Sequence, residues 1–159
     1  MTNIKKSFFI FFLISTLLSC NINDDNNGVE PPNFNVIGLW DLVEVNVSAE
    51  QDIDSNGAAS KNLVDEMDCI FGTLLIDGDL VWTYNQTPIT ITSITNDQFA
   101  FSCSDTVSAS GTWFSDEIEA TFSGDDVLST LKINGGMLVN EVGNELPGIQ
   151  SFVYELRKN

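Results

Sequence analysis

The chain has 159 residues, with 23 acidic against 6 basic side chains, no histidine, and a formal net charge of −17. So acidic a surface repels nucleic acid and anionic lipid heads, which removes both from the classes of partner. Without histidine the commonest general base, the usual serine triad and the common zinc cages are missing, so the chain reads as a non-enzyme.

Residues 1–19 carry Lys5 and Lys6, then an apolar run from Phe8 to Leu18 broken only by Ser15 and Thr16. The run is shorter than the roughly 20 apolar residues a membrane span needs, and it suits a signal peptide. Its end, Leu17-Leu18-Ser19-Cys20, resembles the bacterial lipobox. That resemblance implies cleavage before Cys20 and attachment to a membrane through lipid on the cysteine. Cleavage leaves 140 residues, enough for one domain, and losing the two lysines takes the net charge from −17 to −19. Residues 20–35 are polar, contain Pro31-Pro32 and lack periodicity, so they read as a lipidated N-terminus and tether. Asp24-Asp25 resembles the short acidic signal that sends lipoproteins of the Bacteroidota to the outer face of the outer membrane, which implies a cell-surface location.

From residue 36 to 159 the dominant period is two. Leu80, Trp82 and Tyr84 alternate with Val81 and Thr83, Phe99, Phe101 and Cys103 with Ala100 and Ser102, and Ile118, Ala120 and Phe122 with Glu119 and Thr121. Such alternation makes strands with one dry and one wet face. Turn formers separate them at short intervals: Asp77-Gly78, Asn96-Asp97, Ser115-Asp116, Gly124-Asp125 and Asn134-Gly135-Gly136. Short hairpins in series predict an all-β domain, an antiparallel up-and-down barrel of about 8–10 strands, because closing the meander removes its exposed edges. A helical turn or two is expected only at Ser60–Met67. Cys69 and Cys103 form an even pair in an exported chain and predict a disulfide, two buried free thiols being the alternative.

Two stretches then suggest a family. Gly38-Leu39-Trp40 at the start of the domain resembles the opening Gly-x-Trp strand of lipocalins, and the last strand, Phe152 to Arg157, ends in an arginine as theirs often do. The resemblance implies that Arg157 lies across Trp40 at the closed end of the barrel. The lipobox, Gly38-Leu39-Trp40, the Asp-x-Asp-x-Asn-Gly stretch, Cys69 and Gly111-Thr112-Trp113 together resemble lipocalin-like lipoproteins of the Bacteroidota. The likeness covers residues 36–158.

Phe71, Trp82, Tyr84, Phe99, Phe101, Trp113, Phe122, Phe152 and Tyr154 are expected to face inward. They either pack the barrel solid or line one small pocket, since both need the same alternation. For a pocket, Trp82, Tyr84, Phe101 and Trp113 are the candidate ligand contacts, three of them with a polar handle. Asp52, Asp54, Asn56, Ala58 and Ser60 follow the donor order of the first half of a calcium loop, with Gly57 at the turn. Leu63 stands where the closing glutamate is expected, so Asp65, Glu66 or Asp68 is the candidate replacement. A solvated hairpin loop rich in turn formers is the alternative. The carboxylate groups Asp65/Glu66/Asp68, Asp77/Asp79 and Asp125/Asp126 fall in turns and mark no catalytic pair. Three functions follow: a module binding a small apolar or amphipathic ligand, a module binding an exported protein partner, or a structural surface protein with no specific ligand.

Overall fold

The computed structural model describes residues 34–93, 99–142 and 148–158. Cys20, expected to carry the lipid, the residues up to 33 expected to form the tether, and Asn96-Asp97, expected to form a turn, lie outside the described residues. Eleven strands occur among them: β1 (Gly38–Gln51), β2 (Ser60–Asn62), β3 (Gly72–Ile76), β4 (Val81–Gln86), β5 (Ile89–Ser93), β6 (Phe99–Cys103), β7 (Val107–Ser115), β8 (Glu119–Ser123), β9 (Thr130–Asn134), β10 (Met137–Glu141) and β11 (Ile149–Leu156). Eight of them, in the order β1-β3-β4-β7-β8-β9-β10-β11, pair antiparallel with their neighbours, and β11 returns to pair with β1. The ring is a closed up-and-down barrel, and closure leaves its strands no free edge.

Three strands stand outside the ring. Short β2 lies beside the far end of β1, while β5 and β6, among the described residues, pair only with each other. Proline explains the detour. Thr87 still donates its N–H to Phe71 O across the β3–β4 pair, at 3.0 Å. The next N–H would face the opposite neighbour, β7, and Pro88 has none to donate, so the β4–β7 ladder stops and the chain makes a separate hairpin before re-entering as β7. A disulfide between Cys69, before β3, and Cys103, at the end of β6, ties the hairpin back, with Cα atoms 6.2 Å apart.

Alternation settles which side chains fill the interior. On β4, Trp82, Tyr84 and Gln86 are buried while Val81 and Thr83 are exposed; on β8, Ala120 and Phe122 are buried between exposed Glu119 and Ser123. β1 breaks the period, burying Trp40 and Leu42 and then Val45 and Val47. Its register against β11 slips between Leu42 and Glu44, and this bulge moves the inward set from even to odd positions.

One end of the barrel is sealed by tryptophan. Register places Gly38, Ile76, Trp82, Thr112 and Leu156 toward the same end, and the chain's three tryptophans gather there. Each indole N–H has a backbone acceptor: Trp40 donates to Val36 O at 2.8 Å, Trp82 to Ser123 O at 3.1 Å, and Trp113 to Asp77 O at 3.0 Å. Trp82 also meets Phe122 edge to face, with ring centroids 5.7 Å apart. Gly111 makes room for this arrangement. A Cβ there would stand 1.9 Å from Ser123 O and 2.8 Å from Trp82 Nε1. Buried tryptophans each remove about 200 Å² from water, worth up to about 5 kcal/mol apiece.

Several local expectations are corrected. The helical turn expected at Ser60–Met67 is present as a single 3-10 turn at Leu63–Asp65, with Leu63 and Met67 buried, but Ser60–Asn62 before it is strand β2. Phe71 points outward at 54 % exposure, and Ile118, at 68 %, lies in the turn before β8. Leu80 belongs to the β3–β4 turn, with φ of +62°. The Phe99 side chain lies outside the described set.

Candidate functional site

The other end of the barrel is hollow. A cavity of about 520 Å³ opens there, bounded by the exit of β4 through Ile89, the β8–β9 loop, the end of β10 and the wall of β11. Its volume falls within the range of small-ligand pockets. Phe152, Val142 and Ile89 give it apolar walls, and its rim carries Asp126, Ser129, Thr130, Asn140 and Glu141.

Its depth is polar but uncharged. Tyr154 is 1 % exposed and donates its hydroxyl to Gln86 Oε1 at 2.7 Å. Tyr84 stands beside them on β4, two residues before Gln86, where the alternation turns both inward. Burial pushes the Tyr84 phenol up to about 12, against a smaller opposing effect of its hydrogen bond with Tyr154. Burial, and then the neighbouring Tyr84, hold Tyr154 well above the usual tyrosine range. Both phenols therefore stay protonated at neutral pH. Gly72 leaves space for this group, since a Cβ there would sit 2.7 Å from Gln86 Oε1.

Of the four candidate ligand contacts, only Tyr84 lines the cavity. Trp82 and Trp113 lie at the sealed end with their indoles committed to Ser123 O and Asp77 O. Phe101 sits half-buried on β6 of the tied hairpin, packed against the core beside Cys103. Gln86, Asn140 and the rim residue Asp126 are absent from the sequence-based set. Gln86 was within reach, because the alternation through Trp82 and Tyr84 continues to it.

Arg157 takes a different partner from the one implied by the family likeness. Its Nε donates to Asp41 Oδ2 at 2.8 Å, and its Nη2 contacts Asp41 Oδ1. Trp40 and Asp41 are consecutive strand residues and face opposite sides, so the guanidinium lies on the outer face while the Trp40 ring is inside. The guanidinium hydrogen bond holds the Asp41 carboxyl below its ordinary value.

A second cluster forms where β1 leaves the barrel. Carboxylate oxygens of Asp52, Asp54 and Glu66 lie within 4.8 Å of one another. Glu66 is only 5 % exposed, and its Oε2 accepts the Ile53 N–H at 2.9 Å. Asp52 Oδ2 accepts from Gly57 N at 3.1 Å, and Asp54 Oδ1 from Asn56 N at 3.0 Å. Asn56 and Ala58 complete the loop through the Ala58 N–H to Asn56 Oδ1 bond of 2.7 Å. Of the three candidate closing carboxylates, Glu66 joins the cluster, whereas Asp65 receives the Ser60 hydroxyl at 2.9 Å and Asp68 is exposed. Leu63, at the loop's twelfth position, is buried in the core. Such an all-oxygen donor set suits a hard divalent cation, and a buried carboxylate is stable only when paired, hydrogen-bonded or metal-bound.

Compared with known proteins, the chain matches no family model, no curated protein and no solved structure.

Proposed function

We propose that the chain is a lipid-anchored, lipocalin-like binding protein of the bacterial cell surface, holding one small amphipathic molecule in the open end of its barrel. The observation that carries this reading is the cavity of about 520 Å³, apolar on its walls and hydrogen-bonding in its depth, opposite an end sealed by tryptophan. A barrel filled by its own side chains would leave only a protein-interaction role. The lipobox and Asp24-Asp25 support export and surface display, and a disulfide is at home in an oxidising compartment. Titrating the mature chain from Asn21 with the neutral dye N-phenyl-1-naphthylamine tests the reading. Saturable fluorescence at one dye per chain is expected, and its absence would favour the protein-interaction role.

The acidic loop supports a second reading, a bound calcium ion that orders the β1–β2 connection. Its donor order and the inward turn of Glu66 toward Asp52 and Asp54 both favour it. The ion would serve stability, since the loop contributes nothing to the lining of the cavity.

A further inference from the structure

We infer that the cavity selects its ligand by charge, taking amphiphiles with a cationic head and discriminating against anionic ones such as fatty-acid carboxylates. The inference rests on reading the open end as a ligand site. It goes further in naming the head group.

Among the described residues, the charges that line the cavity are Asp126 on the β8–β9 loop and Glu141 at the end of β10, and no lysine or arginine lines it. The basic side chains beyond residue 20 are Lys61, Lys132, Arg157 and Lys158, and each is placed elsewhere. Lys61 is exposed on β2. Arg157 and Lys158 follow β11 at the sealed end, bonded to Asp41 and Glu155. Lys132 reaches Glu141 at 2.5 Å, but from the outer face of the barrel. Glu141 is thus partly balanced, whereas among the described residues no basic side chain is in salt-bridge contact with Asp126.

Deeper in, Tyr84, Tyr154 and Gln86 offer hydroxyl and amide groups and no formal charge. A carboxylate head at the rim would lose water next to Asp126 without gaining a counterion, and its ionised form would be penalised. An ammonium head at the same place meets the opposite sign, with the apolar tail still free to pack on Phe152, Val142 and Ile89. An uncharged head falls between the two.

Calorimetric titration of the mature chain at physiological salt tests this, because screening beyond about 8 Å suppresses the field of distant carboxylates. The probes share a ten-carbon tail and are used below their micelle concentrations: decyltrimethylammonium, decyl maltoside and decanoate. Decyltrimethylammonium is expected to bind at least ten-fold more tightly than decanoate. Asp126→Asn, a substitution at an exposed loop position, is expected to narrow that ratio several-fold and leave decyl maltoside unchanged. Decanoate binding as tightly as the ammonium would overturn the inference while upholding the ligand site. An unaltered ratio in the variant would also overturn it, assigning the preference to overall charge. If none of the three saturates, the ligand site fails and the charge selection with it.

Discussion

Replacing both Cys69 and Cys103 by serine is expected to cost about 3–4 kcal/mol of stability and to loosen one wall of the cavity. The bond closes a loop of 34 residues. Chain entropy for that length, −2.1 − 1.5R ln n, is about −12.6 cal/mol/K, or about 3.8 kcal/mol at 25 °C. Cys69 is exposed and Cys103 half-buried, so serine adds little desolvation cost of its own. The effect should also be local. Among the described residues the β5–β6 hairpin forms no strand pairing with the barrel, so the bridge and the packing of Ile89, Ile91 and Phe101 are the attachments seen there besides the chain itself. Urea unfolding followed by tryptophan fluorescence gives the global loss, since all three tryptophans belong to the sealed end. Hydrogen exchange gives the local one: hairpin amides should lose more protection than amides of β7 to β11. A loss under 1 kcal/mol, with hairpin amides as protected as before, would show that packing rather than the bridge holds this wall.

Gly111→Ala should destabilise by about 2–4 kcal/mol, combining overpacking against Ser123 O with the loss of the Trp82 hydrogen bond; a urea midpoint unchanged from the parent would refute the close approach. Alkaline pH should unfold the domain through its two tyrosines, Tyr84 and Tyr154, which are both buried. A phenol whose folded pKa is raised keeps its full contribution below the unfolded value of 10 and loses it as pH climbs toward the folded value. With Tyr84 near 12, about 2–3 kcal/mol should disappear between pH 10 and 12. Phenolate absorbance at 295 nm should then rise together with unfolding, and a rise near pH 10 in the folded protein would contradict the burial. Calcium at about 5 mM should raise stability by about 1–2 kcal/mol for a dissociation constant of 10⁻⁴–10⁻³ M, read as an upward shift of the thermal midpoint. Glu66→Gln should abolish the response, and a parent midpoint indifferent to both calcium and chelator would exclude the ion.

Much of the barrel was legible because period two is imposed by the strand itself. Trp82 with Tyr84, Ala120 with Phe122, and the Asn134-Gly135-Gly136 turn could be assigned from spacing alone. Features set by longer-range geometry could not. The bulge near Val43 depends on the closing register with β11, so the inward switch to Val45 and Val47 carries no local mark. Pro88 signals a break in pairing, yet only the assembled sheet shows that a whole hairpin leaves the ring there. Phe71 precedes β3 and turns outward, against its hydrophobicity. The candidate site was harder still, because alternation specifies a face and not a depth along the barrel axis. Trp82 and Gln86 share one face of β4, but one seals an end while the other sits in a cavity. For the acidic loop, the donor order was readable while its closing carboxylate came from outside the expected spacing, through the Leu63–Asp65 turn that delivers Glu66.

A two-dimensional amide NMR titration with decyl maltoside addresses the hollow end most directly. Saturating shifts should fall on Gln86, Thr87 and Ile89, on 126–130 and on 140–142, while the indole N–H signals of Trp40, Trp82 and Trp113 stay still. Shifts that begin at the indoles, or scatter without saturating, would mean that ligand does not occupy the cavity between β4, β9 and β11.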